Sequence, residues 1–95
     1  MKLCYTLQGA AELNAVLAYI EGKSPQGAKR VQARIQAIMN MLLQYPGAGR
    51  LTGKRGKRRI GVPPYPYLIF YEATEDEIII HGVRHAARRP SSMPE

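Results

Sequence analysis

The tightest constraint in this chain is the three-residue stretch Gly22-Lys23-Ser24, which separates two helical patterns. Upstream, Leu13, Val16, Leu17 and Ile20 recur at spacings of three and four between about Ala10 and Glu21, so they share one helix face. Glu12 falls in the predicted first turn, where the helix dipole favours an acid, and Gly22 supplies a left-handed C-cap. Downstream, Ser24 offers a capping hydroxyl, and Pro25 suits a first helical position that needs no N–H. Ala28, Val31, Ile35, Ile38 and Leu42 then form a stripe, widened by Met39 and Leu43, while Lys29, Arg30, Gln32, Arg34 and Gln36 fall largely off it. The second helix should end near Gln44, before Pro46 and Gly47. So short a connection permits only an antiparallel helical hairpin. Both stripes then need an apolar surface to cover.

That surface lies in the last third of the chain. Residues 57–62 (KRRIGV) read as a short strand, interrupted by Pro63 and Pro64. Residues 66–73 (PYLIFYEA) and 77–84 (EIIIHGVR) read as two strands of a hairpin turning at Thr74-Glu75. Both of its faces are largely apolar, as expected of central strands with helices on one side. Residues 2–6 (KLCYT) make a first strand, with Leu3 and Tyr5 alternating against polar or small neighbours. The predicted fold is therefore α+β, β-α-α-β-β-β, with the hairpin packed on one face of a small, mostly antiparallel sheet. Residues 46–57 carry Pro46 and four glycines and read as a loop; the glycines lack a phosphate-binding spacing. At 95 residues there is room for one domain, over residues 1–90, with residues 91–95 a flexible tail.

Composition narrows the class of function. Cys4 is the only cysteine, so neither an intrachain disulfide nor a zinc site can be built from thiols, and no metal or cofactor is expected. Cys4 itself reads as a small apolar residue of the first strand. Nothing resembles a signal peptide or the roughly 18 apolar residues of a membrane span, so a cytoplasmic protein without a membrane partner is expected. The net charge is +7, from 14 Lys and Arg against 7 Asp and Glu, which favours an anionic partner. The cations are gathered: Arg50, Lys54, Arg55, Lys57, Arg58 and Arg59 in and beyond the loop, and Arg84, Arg88 and Arg89 near the C-terminus. Tyr65, Tyr67 and Tyr71 alternate to one strand face, where packing is their expected role and base stacking the alternative. His81 and His85, four apart on a strand, are expected on one face, but no third ligand is evident.

Several segments, in the right order, resemble the RelE/ParE toxins of type II toxin–antitoxin systems. Tyr19-Ile20 with Ser24-Pro25 and Ala28 resembles the family's helix-hairpin signature. Tyr45-Pro46 with Gly49-Arg50 resembles its following loop. Tyr65-Pro66-Tyr67-Leu68-Ile69-Phe70-Tyr71 resembles the core strand of the ParE branch. Ile80-His81-Gly82-Val83-Arg84-His85, then Arg88-Arg89-Pro90, resembles the last strand and ending. The resemblance implies a plasmid-stabilisation toxin neutralised by an acidic antitoxin. It also implies one of two targets: DNA gyrase in the ParE branch, or the ribosome and its mRNA in the RelE branch.

The residues favour the first. Where RelE-type members carry a core-strand arginine this chain has Tyr67 and Leu68, and Ala86 and Ala87 follow His85 where related nucleases end in a tyrosine. On this reading there is no catalytic residue. Arg58, Arg59, Arg84, Arg88 and Arg89 engage gyrase, while Arg50, Lys54, Lys57 and Tyr67 take the antitoxin. The alternative is a ribosome-dependent endoribonuclease using Arg59, Arg84 and His85, the histidine being suited by its intrinsic pKa to move protons. A second alternative is a nucleic-acid-binding domain without toxicity, whose binding would fall steeply with salt.

Overall fold

Two hydroxyls fix the helices. The structure is a computed structural model that describes residues 1–86. The Thr6 side chain accepts the Gly9 N–H at 2.9 Å and starts α1 (Leu7–Lys23). Ser24 accepts the Gly27 N–H at 3.0 Å and starts α2 (Pro25–Gln44). Ser24 is also the C-cap of α1, with φ −160°, so the hairpin turns on one extended residue. This corrects three expectations. The first helix begins three residues before Ala10 because Thr6 caps it. Glu12 consequently lies beyond the first turn. Gly22 stays helical and is no left-handed cap, since among the described residues only Gly56 has positive φ.

Five strands follow the order β1-β5-β4-β3-β2. β1 (Lys2–Tyr5) runs parallel to β5 (Glu77–His85); β5, β4 (Tyr65–Ala73), β3 (Lys57–Val62) and β2 (Arg50–Leu51) are successively antiparallel. β2 lies inside the segment expected to be loop. At two residues it is too short to show any periodicity. The strands β4 and β5 each extend one residue beyond expectation, to Tyr65 and His85.

One face of the sheet takes the helices. Val31, Ile35, Ile38, Met39 and Leu42 of α2 pack against Val62, Tyr67, Ile69, Tyr71, Ile78, Ile80 and Val83. Helix α1 lies over β5 with Leu13, Val16, Leu17 and Ile20 only partly buried, and its one fully buried residue is Gly9.

Tyr71 ties the loop after α2 to this core. Its side chain is fully buried, yet its hydroxyl donates to the Pro46 carbonyl at 2.9 Å and accepts the Gly49 N–H at 2.8 Å. Tyr71→Phe is expected to cost about 2 kcal/mol in urea denaturation, one net hydrogen bond each. Burial pushes this phenol up from its ordinary value of 10.0, against the lowering effects of the Gly49 N–H and Arg58. The folded state thus favours neutral tyrosine. Its contribution is complete below pH 10 and is lost as pH rises through the higher folded value. The alkaline loss of stability should accordingly be shallower in Tyr71→Phe.

Candidate interaction surface

The other face of the sheet carries the charge. Residues paired directly across strands share a face, so Arg50, Arg59 and Phe70 form one row, through the pairs Arg50–Arg59 and Arg59–Phe70. Leu68 and Arg84 form the next row. The Arg84 guanidinium carbon stands 5.2 Å over the Phe70 ring, a cation–π arrangement. Thr6, Gln8, Thr52, Lys54, Lys57, Phe70, His81 and Arg84 line a concavity of about 330 Å³ here. Among the described residues, neither Lys54 nor Lys57 has an ion-pair partner.

A β-bulge governs what reaches this face. Phe70 pairs with Gly82 but Tyr71 pairs with Ile80, so His81 is the extra residue. The His81 Nε2 sits 3.0 Å from Glu72 Oε1, and the ring lines the concavity. Beyond the bulge, Val83 points into the core and Arg84 outward. His85 pairs with Tyr67, which is on the helix side, and their rings meet edge to face at 5.3 Å. The two histidines therefore lie on opposite faces, contrary to the alternation expected of an unbroken strand.

The remaining candidates divide in the same way. Arg58 pairs with Tyr71 on the helix side, where its Nη1 donates to the carbonyls of Gly49 at 2.8 Å and Gly47 at 3.4 Å. It braces the loop, whereas Arg59 faces outward. The set Arg59, Arg84 and His85 is split, with His85 behind the sheet. Arg50, Lys54 and Lys57 lie on or beside the outer face, but Tyr67, 8% exposed, belongs to the core. Arg88 and Arg89 lie outside the described residues, as does the 91–95 tail. Burial pushes the Cys4 thiol up, and Glu77 Oε2 at 3.5 Å adds to this, so it is a poor thiolate nucleophile. No cluster of three potential metal ligands occurs among the described residues, and none of their helices is long and apolar enough to cross a membrane.

A family model described as the ParE toxin of the type II toxin–antitoxin system parDE matches residues 4–90. The chain belongs to this family. It is 33% identical over 87 residues to the toxin RelE2 of Caulobacter vibrioides, covering 92% of this chain and 97% of that one. Its fold is that of a chain in the chromosomal ParDE system from P. aeruginosa, with a TM-score of 0.76 at 24% identity over 90% of this chain and 95% of that one. A chain of the E. coli DinJ–YafQ complex matches with a TM-score of 0.61 at 15% identity, over 90% and 92%. The α+β architecture read from the sequence is thus that of the ParE/RelE toxins.

Within this ParE-family chain, His81, Glu72, Phe70 and Glu12 are among the members of the surface that the sequence did not mark for interaction. Glu72 and His81 carried a usable signal, a carboxylate and an imidazole on adjacent strands of one hairpin. Their approach depends on the bulge, which leaves no mark in composition. Glu12 reads as a helix-dipole residue from the sequence, yet it accepts the Val83 N–H and the Arg84 Nε–H of β5.

Proposed function

We propose that this chain is a ParE-like toxin that inhibits DNA gyrase by binding it in the cytoplasm and is held inactive by an acidic antitoxin encoded nearby. The observation carrying this reading is the separation of His85 from Arg59 and Arg84 by the thickness of the sheet. A proton-moving histidine on the helix side cannot act on a phosphate held by those arginines. The outward cations instead suit a binding surface whose field steers an anionic partner. Of the set read from the sequence, Arg59 and Arg84 lie on it, Arg58 braces the loop on the helix side, and Arg88 and Arg89 lie outside the described residues. The antitoxin's carboxylates would meet Arg50, Lys54 and Lys57, with Tyr67 contributing only through its exposed rim.

The test is a supercoiling assay with purified gyrase and antitoxin-free protein. Inhibition with trapped cleaved DNA is the expected result. Intact supercoiling in the presence of well-folded protein would refute the gyrase assignment. Purification from the native operon should yield a complex, and recovery of the toxin alone would count against the antitoxin.

One observation favours the ribosome-dependent endoribonuclease as a second reading. His81, beside Glu72, shares the concavity with Lys54, Lys57 and Arg84. On that reading the wild type cuts translated mRNA and His81→Ala folds without cutting.

A further inference from the structure

Arg84 is held from behind. Glu12 Oε1 accepts both the Val83 N–H at 3.0 Å and the Arg84 Nε–H at 3.3 Å, while Gln8 Nε2 donates to Oε2 at 2.9 Å. Both carboxylate oxygens are therefore engaged. The geometry has a cause in the sheet. β1 covers β5 only as far as Ile80, so the backbone of β5 past the bulge has an open edge. Helix α1 runs along that edge and brings Glu12 to it. Gly82 leaves the space: a Cβ there would stand 2.6 Å from Glu12 Oε1.

We propose that Glu12 is the positioning residue for Arg84, holding its guanidinium across Phe70 so that its outer edge is presented to the target. The inference rests on the reading that Arg84 belongs to the target-binding surface. A guanidinium has five donors in a rigid plane. Glu12 grips Nε while Phe70 holds the guanidinium carbon at 5.2 Å, and Arg84 lines the concavity. An arginine otherwise carries large rotamer entropy that binding would have to remove, and the clamp removes it in advance. Helix α1 thereby completes the cationic face, although its own apolar residues are turned to the core. Neither Glu12 nor Gly82 needs to touch the target.

A simple edge cap would need only the Val83 bond, and the two roles separate experimentally. Glu12→Gln keeps an acceptor oxygen for both donors; Glu12→Ala keeps none. The Arg84 Nε–Hε signal in ¹⁵N-labelled protein should be shifted and slow to exchange in the wild type and in Glu12→Gln, and should move to the free-arginine position in Glu12→Ala. Toxicity is read as growth arrest at matched soluble toxin levels, which does not presuppose the target. Glu12→Ala and Arg84→Ala should each need roughly tenfold more toxin, with Glu12→Gln close to the wild type and the double variant no weaker than Arg84→Ala. An unchanged Arg84 signal in Glu12→Ala, or losses that add in the double variant, would overturn the proposal. Full toxicity of Arg84→Ala would remove Arg84 from the target surface and the positioning role with it. Growth arrest with gyrase left untouched would sink only the gyrase reading, because the same cycle still reports on the clamp.

Discussion

Gly9→Ala is expected to destabilise the fold by about 3 kcal/mol, at the upper end for an overpacking change. The sign is the informative part. Alanine is the better helix former by about 1 kcal/mol, so if Gly9 were merely a weak point in α1, the substitution would stabilise. The structure argues otherwise. A Cβ on Gly9 would collide with the Ile80 carbonyl oxygen, with the Ile80 carbonyl carbon at 3.0 Å and Thr6 Oγ1 at 3.2 Å. That carbonyl is the docking point of the helix start, accepting the Thr6 N–H at 3.0 Å and the Thr6 hydroxyl at 3.3 Å. The strand cannot retreat, because the Ile80 side chain is fully buried on the core side. Helix α1 must therefore lift, loosening Leu13, Val16, Leu17 and Ile20. Urea denaturation decides the matter: a midpoint at or above that of the wild type would show that helix and strand do not meet here.

This contact also shows why parts of the molecule were readable and parts were not. The α2 stripe from Ala28 to Leu42 was legible because a helix buried on one face repeats its apolar residues over about four turns, and Ser24-Pro25 marks its start by local chemistry. The β4–β5 hairpin was legible for a similar reason, as two long apolar runs flank a polar turn. Helix α1 was harder to delimit. It packs edgewise on β5, so its first turn, Leu7 to Ala10, carries almost no core signal, and Leu7 is 93% exposed. Gly22 looked like a cap because glycine often is one. Ser24, extended and bonded in both directions, made such a cap unnecessary. β2 exists only because β3 offers an edge to Arg50 and Leu51. The largest loss came from a single residue: the bulge at His81 inverts the alternation of everything after it. Period-two reasoning put His81 and His85 together, whereas the fold puts them on opposite faces.

On the proposed gyrase reading, Arg59→Glu should abolish most of the inhibition while leaving a folded protein. Arg59 lies directly across from Arg50 on the outer face, and like charges so placed repel. Reversing Arg59 turns that pair into an attractive one. Arg59 also has interactions of its own, so thermal unfolding of the variant is measured alongside to confirm that it is folded. The effect on the target should be large. Reversal removes a cation and places a carboxylate in the row that runs from Arg50 to Phe70, beside Arg84 and the lysines of the concavity. For a surface that recognises an anionic partner, this lowers both the rate of encounter and the lifetime of the complex. A loss of about tenfold or more in inhibitory potency is expected, corresponding to roughly 1.4 kcal/mol. The loss should shrink as salt rises and screens the wild-type attraction. Arg58→Glu behaves differently on this account. Its guanidinium holds the Gly47 and Gly49 carbonyls on the helix side, so its reversal should lower stability first. If Arg59→Glu inhibits gyrase as well as the wild type does, the outer face is not the gyrase-binding surface.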